Sequence, residues 1–549
     1  MRIAIVLWAI AQFAAAPVAA DCPRANLASL GDLRAGLLAE DRPVTVEGVV
    51  TGVFIGPERL GGFFIQQSGA SPVGLFVYAP ALSPQAIRPG QLVQVSGRFN
   101  RFHGRPQISR VEVPLVCAQP GLPDPVILRL PEDAARLADL QDVKVRFEQA
   151  LTVSGNYELG RYGSLRLSAG GRQYRRPAPG LTTPELSPLE VDPARQIVLD
   201  DGSYRANPNP IPYLGDNATR RAGDRVEGLT GILTHAFNAH RVHPTRPPRF
   251  IDANPRPAEP GVAASTLRVA TLNVENYFLT LGQRGASSRA QLERQRRKLT
   301  AAVRGLDADV LSLVEVENQD AALHDLVATL NRGVPRSSRY RAVEHPDSGS
   351  DAIRNALLYR PSRVTLLGAA ADPDPVHNRP PLLGWFAKAG EGTAWGVVAV
   401  HFKAKVGCPD TGDVDLGQGC WNQLRTQQAQ RLLEWLEASR YADAPIVIAG
   451  DLNAYAHEDP LRAFVAAGKR DLASQHLPAE RHYTYVFHGQ AGQLDYLLAP
   501  QTLADRVATA GIWHINADEP PFLGFAGRKP ASGPWRSSDH DPVWADLRW

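Results

Sequence analysis

Two short motifs in the second half of the chain combine residue types suited to the hydrolysis of phosphate esters. One is Gly450-Asp451-Leu452-Asn453, and the other is Ser538-Asp539-His540. Carboxylates can hold a divalent metal, an imidazole can accept or donate a proton, and an amide can donate to phosphate oxygens. The two motifs together therefore predict a phosphodiesterase centre.

Further polar residues follow apolar runs typical of strands, and these residues are Asn273, Glu315, His401 and Asp495. A polar group that directly follows a buried strand lies where the chain leaves the core. We therefore expect these groups to share one site with the two motifs. The carboxylate of Glu315 is predicted to point into a cleft, whereas Glu317 is either a supporting group behind it or an ordinary surface residue.

The elements that position these residues are predicted from the hydrophobic pattern. After Thr266, short apolar strands alternate with helical spacing over Arg289–Leu306 and Leu424–Ala438, which indicates a layered α/β domain over residues 266–549. Residues 252–265 are rich in proline and lack apolar periodicity, so they are predicted to form an extended linker.

Residues 21–120 show short alternating strands separated by glycine turns, which predicts a small OB-like β-barrel. Residues 121–251 are predicted to form a second β-rich, possibly OB-like module, because a segment of the first module recurs there in similar form. Two roles remain open for the first module. It is a spacer with Phe99 in its core, or it binds nucleic acid through a basic and aromatic surface formed by Arg98, Phe99, Arg101, Phe102, His103 and Arg105.

The N-terminus indicates the compartment. Residues 1–20 combine one arginine, an apolar run and small residues, which predicts a signal peptide cleaved near Ala20 and a secreted protein. The chain holds 4 cysteines, so two disulfides are expected in an oxidising compartment. Of the three pairings, we favour Cys22 with Cys117, which would tie the mature N-terminus to the end of the first module, and Cys408 with Cys420, which bracket a Gly/Asp-rich loop.

Composition narrows the class of protein without identifying a substrate. The 549 residues are 44% hydrophobic and 21% charged, as in ordinary globular proteins. A net charge of +3 is too small to identify a nucleic-acid-binding protein. No later stretch is long and apolar enough for a membrane anchor, and we expect a freely diffusing monomer.

Taken together, the two motifs and the four strand-end segments that carry Asn273, Glu315, His401 and Asp495 resemble in order and spacing the DNase I-like endonuclease/exonuclease/phosphatase family. The fold of this family is a four-layered α/β sandwich. The whole chain resembles bacterial extracellular nucleases of the ExeM/NucH type. This resemblance implies Mg²⁺ as cofactor, with Mn²⁺ as an alternative and Ca²⁺ as a structural ion. It implies metal ligation by Asn273, Glu315 and Asp539, and catalytic roles for His401, Asp451, Asn453, Asp495 and His540.

Two further positions have less clear roles, one because it departs from the family pattern. Asp351 is the one acidic residue in the segment that should supply a partner for His401, and Lys403 is either a phosphate-binding cation or a solvated lysine. We expect a secreted, sequence-nonspecific endonuclease that cuts DNA and possibly RNA. The alternatives are a sphingomyelinase or inositol-phosphate type of phosphoesterase, and a non-catalytic extracellular DNA-binding matrix protein.

Overall fold

The computed structural model describes residues 22–23, 26–69, 71–175, 192–390, 392–438 and 444–548. The predicted signal peptide, residues 1–20, lies outside the described residues. Within the described ranges, none of the helices combines the length and the apolar character that a membrane crossing needs.

The first β module is a closed barrel. Its strand order is β1-β2-β3-β5-β4, and β1 also pairs with β4. Phe99 is fully buried in the barrel core. Arg105 forms an ion pair of 2.7 Å with Asp142 of the following module. The surface considered for nucleic-acid binding is therefore partly used for packing. The elements are α1 Leu30–Ala35, β1 Pro43–Phe54, β2 Gly62–Gln67, β3 Val73–Tyr78, β4 Leu92–Phe102, β5 Arg105–Ser109 and β6 Leu115–Ala118.

The second module is built on one long mixed sheet, with buried Val145, Leu167 and Leu199 in its core. Its strand order is β16-β13-β9-β10-β12-β15-β14-β8-β7. The elements are β7 Val126–Leu128, β8 Lys144–Phe147, β9 Leu151–Gly155, α2 Leu159–Tyr162, β10 Ser164–Ala169, β11 Gln173–Tyr174, β12 Gln196–Asp200, β13 Arg225–Glu227, β14 Thr230–Ala236, β15 Ala239–Pro244 and β16 Arg249–Ile251.

The third domain, which we call the sandwich domain, starts at Thr266. Its elements are β17 Thr266–Tyr277, α3 Arg289–Leu306, β18 Val310–Glu317, α4 Asp320–Leu330, β19 Arg341–Ala342, β20 Ile353–Tyr359, β21 Val364–Ala371, β22 Leu382–Lys388, β23 Ala394–His401, α5 Asn422–Ala438, β24 Ile446–Asp451, α6 Asp459–Ala466, β25 Lys469–Asp471, β26 Tyr485–Phe487, β27 Gln490–Gly492, β28 Asp495–Pro500, α7 Gln501–Ala504, β29 Val507–Ile512 and β30 Val543–Arg548. Short 3₁₀ helices lie at Ala134–Arg136, Pro193–Arg195, Arg336–Ser338, Ala479–Arg481 and Pro521–Leu523.

Two sheets of the sandwich domain face each other between helical layers. The orders are β19-β20-β18-β17-β30-β29 and β21-β22-β23-β24-β28-β25. Apolar side chains of both sheets form the central core, among them Val269, Val397 and Val447. Helices α3 and α4 cover the first sheet, and α5 and α6 cover the second. The predicted four-layered sandwich is confirmed for this domain.

The second module and the sandwich domain are in contact. Strand β11 pairs in parallel with β27 and so extends the β26–β27 hairpin. The segment predicted as a linker also contacts the sandwich domain, because Asn254 and Arg256 donate hydrogen bonds to Asp518 and Glu519. Disulfides join Cys22 to Cys117 and Cys408 to Cys420, the pairs favoured from the sequence.

Candidate active site

Three of the predicted catalytic residues lie side by side on the second sheet. His401 at the end of β23 pairs in register with Asp451 at the end of β24, and Asp451 pairs with Asp495 at the start of β28. Gly450, the residue before Asp451, has a φ of +155°, and a Cβ at this position would lie 1.9 Å from the carbonyl oxygen of Val400 in the neighbouring strand. Glycine at position 450 therefore allows the two side chains to meet.

The fourth residue, His540, comes from the loop before β30. Its Nδ1 lies 2.7 Å from Asp495 Oδ2 and 3.9 Å from Asp451 Oδ2. Thr484 Oγ1 donates to the same Asp495 oxygen at 2.7 Å, and the Tyr485 ring packs against His540 at a centroid distance of 4.6 Å. The imidazole is thus held on two sides, with Nδ1 as the hydrogen-bond donor.

The facing sheet supplies an amide and a carboxylate. Asn273 Nδ2 donates to Glu315 Oε1 at 3.0 Å and lies 3.4 Å from Asp451 Oδ2, so it links the two sheets. The backbone N–H of Asn276 donates to Glu315 Oε2 at 3.0 Å. Glu315 has a φ of +67°, a left-handed conformation that side chains rarely adopt outside constrained sites.

The two histidines have opposite charge preferences despite similar burial. Burial lowers the pKa of His401 well below its usual value, and the nearby Arg379 lowers it further. Burial also opposes protonation of His540, but the carboxylates of Asp495, Asp539 and Asp451 outweigh it and raise its pKa well above the usual value. Burial thus favours the neutral form of His401, whereas the neighbouring carboxylates favour the charged form of His540.

The carboxylates of the site repel one another. Burial, followed by the charge of Asp539, raises the pKa of both Glu315 and Glu275. Burial, followed by the charge of Asp495, raises the pKa of Asp451. Glu275 Oε2 is buried without a hydrogen-bond partner. A divalent cation would relieve this repulsion, and hard oxygen ligands are those that Mg²⁺ prefers.

Two groups of residues are candidates for the cation. Asp451, Asp495 and His540 place ligand atoms within 4.8 Å of one another. Neighbouring carboxylates favour the protonated form of His540, so a cation bound through this ring would have to displace its proton. The second group, Glu275, Glu315 and Asp539, offers only carboxylate oxygens, the ligands that Mg²⁺ prefers, and the charge of Asp539 acts on both glutamates. Asn273 Oδ1 accepts the Glu275 N–H at 2.9 Å, so this amide shapes the loop that carries Glu275.

The remaining predicted residues lie near the site in different roles. Asn453 donates to the carbonyl of Phe402 at 3.1 Å. Lys403 places its ammonium 5.0 Å from the Trp421 ring. Asp351 does not partner His401, whose Nδ1 is buried without a partner, and instead accepts from Arg379 at 3.3 Å.

Of the two roles considered for Glu317, the structure favours that of a supporting group behind Glu315 over that of a surface residue. Glu317 is buried and accepts from the backbone N–H groups of Leu279 and Thr280, which fixes the loop after β17.

The structure adds two residues that the sequence did not single out. Glu275 lies two positions after Asn273, and the alternation of strand residues could have placed it on the same face. Arg379 is buried and donates to the carbonyls of His401 and Phe402. It lies in an irregular segment between β21 and β22, so no periodicity marks it.

The sandwich domain thus carries a buried histidine–carboxylate centre where β23 and β24 end and β28 begins. Residues 270–540 match the profile described as the Endonuclease/Exonuclease/phosphatase family, so the chain carries a domain of this family. Members of this family are metal-dependent phosphoesterases. No curated protein matches the chain.

Several solved structures are similar to about half of the chain. One is an endonuclease/exonuclease/phosphatase from Bacteroides vulgatus, with 15% identity, a TM-score of 0.37, and coverage of 51% of this chain and 98% of that one. The human Nocturnin catalytic domain has 18% identity, a TM-score of 0.35, and coverage of 52% and 95%. A mannosyl-6-phosphatase from Bacteroides thetaiotaomicron has 18% identity, a TM-score of 0.37, and coverage of 52% and 100%.

Proposed function

We propose that the protein is a secreted, metal-dependent endonuclease of the ExeM/NucH type that hydrolyses phosphodiester bonds of DNA, with RNA as the alternative substrate. The observation that carries the proposal is the in-register row of His401, Asp451 and Asp495 with His540 bonded to Asp495. These four side chains combine a proton acceptor, an imidazolium and a neutral imidazole at the buried end of neighbouring strands in the second sheet. Hydrolysis of a phosphodiester requires a group that activates water and groups that stabilise the charge developing on the phosphate oxygens.

The directions of the pKa shifts support one division of roles. Asp451 has a raised pKa and so is a base suited to neutral pH, able to accept the proton of the attacking water. His540, held as imidazolium, stabilises the negative charge that develops on the phosphate oxygens. The neutral His401 lies 3.7 Å from Asp451 through Nε2 and binds a phosphate oxygen or the leaving oxygen. Asn453 positions the scissile phosphate.

Glu315, Asp539 and Glu275 would hold a divalent metal, Mg²⁺ or Mn²⁺, with Asn273 fixing the surrounding loop. The bound ion would supply charge neutralisation at the phosphate. The crowded, proton-retaining carboxylates described above support this assignment.

Pairs of cations and aromatic rings near the site support nucleic acid as substrate. Lys403 lies over Trp421, and Lys405 lies 5.2 Å from the Tyr455 ring. Arg175 of the second module lies 5.4 Å from the same Tyr455 ring. Tyr455 is buried and Lys405 is paired with Glu458, so Lys403 beside Trp421 is the pair that best suits a backbone of phosphates carrying stackable bases.

Features outside the sandwich domain support the rest of the proposal. The barrel order β1-β2-β3-β5-β4, closed back onto β1, supports an OB-like first module. The two disulfides are consistent with an extracellular protein. Secretion by a cleaved signal peptide and action as a monomer complete the proposal.

Nicking of supercoiled plasmid by residues 21–549 tests the proposal. We expect nicking with Mg²⁺ or Mn²⁺, none with chelator, and a loss of at least about 10²-fold in Asp451→Ala and His540→Ala. His476→Ala, which changes an exposed histidine of the same domain, should retain full activity. An intact plasmid under all metal conditions, alongside hydrolysis of a lipid or inositol phosphodiester, would replace nuclease by another phosphoesterase activity.

A further inference from the structure

The backbone around His540 is shaped by a loop of the sandwich domain, residues 514–519, which follows β29. Asn516 Oδ1 accepts the N–H groups of Ser537 and Ser538 at 2.8 and 3.3 Å, and Asn516 Nδ2 donates to the carbonyl of His540 at 2.6 Å. Asp541 accepts the N–H of Asn516 at 2.7 Å. The position of His540 therefore depends on the position of the 514–519 loop.

That loop is itself held by cations from outside the sandwich domain. Asp518 is fully buried and accepts from Arg172 and from Arg221 of the second module. Glu519 is equally buried and accepts from Arg221 and, at 2.8 and 3.0 Å, from Arg256 of the preceding segment. Two adjacent buried carboxylates would be costly without these partners.

A second route leads from Arg172 to the same catalytic loop. The guanidinium of Arg172 lies 4.3 Å from the Tyr483 ring, and Tyr483 stacks on His514 at 4.0 Å with 9° between the planes. His514 Nδ1 bonds to Asp541 at 2.9 Å. The carbonyl of Thr484, next to Tyr483, accepts the Asp541 N–H at 2.8 Å.

We infer that Arg172 and Arg221 of the second module are positioning residues for the catalytic loop 537–541, so that the module completes the active site of the sandwich domain. The inference rests on the proposed function for its catalytic consequence. Neither arginine is placed among the groups that contact substrate. Their effect passes through Asp518, Glu519 and Asn516 to His540.

The test uses the full mature chain with Arg172→Gln and Arg221→Gln, and with Arg249→Gln as the matched control. Arg249 belongs to the same module but forms an exposed ion pair with Glu227. Hydrogen exchange followed by mass spectrometry should show about tenfold faster exchange of the peptide that contains 537–541 in the first two variants. With plasmid substrate, kcat should fall about tenfold while KM changes less than about twofold. The control should change neither quantity.

The outcomes separate this inference from its alternatives. Unchanged exchange of 537–541 overturns it, and so does faster exchange spread evenly over the sandwich domain, which would indicate general destabilisation. If the glutamine variants do not fold, Arg172→Lys and Arg221→Lys, which keep a positive charge, are judged by the same two criteria. A wild-type chain without phosphodiesterase activity would refute the proposed function, whereas the exchange data would still decide whether the module holds the loop.

Discussion

Replacement of Asp495 by asparagine tests the division of charge in the active site most directly. Asp495 is fully buried, and its Oδ2 lies 2.7 Å from His540 Nδ1. Asparagine keeps the shape and one acceptor oxygen but removes the negative charge. Burial lowers the pKa of His540, and fewer carboxylate charges then offset this effect. The pKa of His540 therefore falls from its raised value.

The magnitude follows from the geometry of this single bond. A hydrogen bond to a charged group contributes about 1.5–3 kcal/mol, and one pKa unit corresponds to about 1.4 kcal/mol. The pKa of His540 should therefore fall by about one to two units in Asp495→Asn. Loss of a correctly charged and oriented histidine should also lower kcat about 10²–10⁴-fold.

The assay is the dependence of kcat/KM on pH, from about pH 5 to about pH 9, with a short labelled duplex and saturating metal. The acid form of His540 is the active one, so activity is lost as the pH rises through its pKa. In Asp495→Asn this alkaline loss should move down by about one to two pH units. Asp505→Asn, an exposed aspartate of the same domain, serves as control and should leave the profile unchanged. An unshifted alkaline limb with near-normal kcat would refute the reasoning.

Two further predictions concern the metal and acid stability. Mg²⁺ binding at pH 7 should release protons, seen in calorimetry as an enthalpy that depends on the buffer, because the pKa values of Glu275 and Glu315 are raised. Glu315→Gln should weaken Mg²⁺ binding at least about tenfold while Glu434→Gln does not; a buffer-independent enthalpy would contradict this. Burial lowers the pKa of His345 to about 4 from 6.5, so the unfolded chain binds this proton first as the pH falls. The free energy of unfolding should therefore fall by up to roughly 3 kcal/mol as the pH drops from 6.5 to about 4. Urea unfolding of His345→Gln over the same pH range should show a smaller fall.

The sequence predicted the elements of the sandwich domain well because their signals are local. The helix predicted over Arg289–Leu306 has the same bounds in the structure, where Ser288 caps it and buried Leu292 and Leu299 face the sheet. The strand ends that carry His401 and Asp451 were equally predictable, because each of these residues follows a continuous apolar run in the sequence. Adjacent parallel strands place such ends at one edge, which is why these residues could be grouped before the fold was known.

Residues joined over long distances in the chain carried no such signal. Arg172 and Asp518 are separated by 346 positions, and neither belongs to a periodic pattern that points to the other. The partner of Asp351 was also not predictable, because Arg379 lies in an irregular segment. The segment 252–265 was interpreted as a linker from its proline content. Its side-chain hydrogen bonds to Asp518 and Glu519 could not be predicted, because they depend on the surface against which the segment packs.

The family resemblance implies that Asp495 makes the ring of His540 more basic, whereas nothing in the sequence indicates that the pKa of His401 is lowered. His401 and His540 are both almost fully buried, and burial alone lowers the pKa of each. Their difference comes from neighbours contributed by distant parts of the chain: Arg379 beside His401, and the acidic groups beside His540. Asp451 lies between the two rings, 3.7 Å from one and 3.9 Å from the other. Burial and the charge of Asp495 raise the pKa of Asp451, whereas the charge of His540 lowers it, so the base of the proposed hydrolysis is tuned by groups from distant parts of the chain.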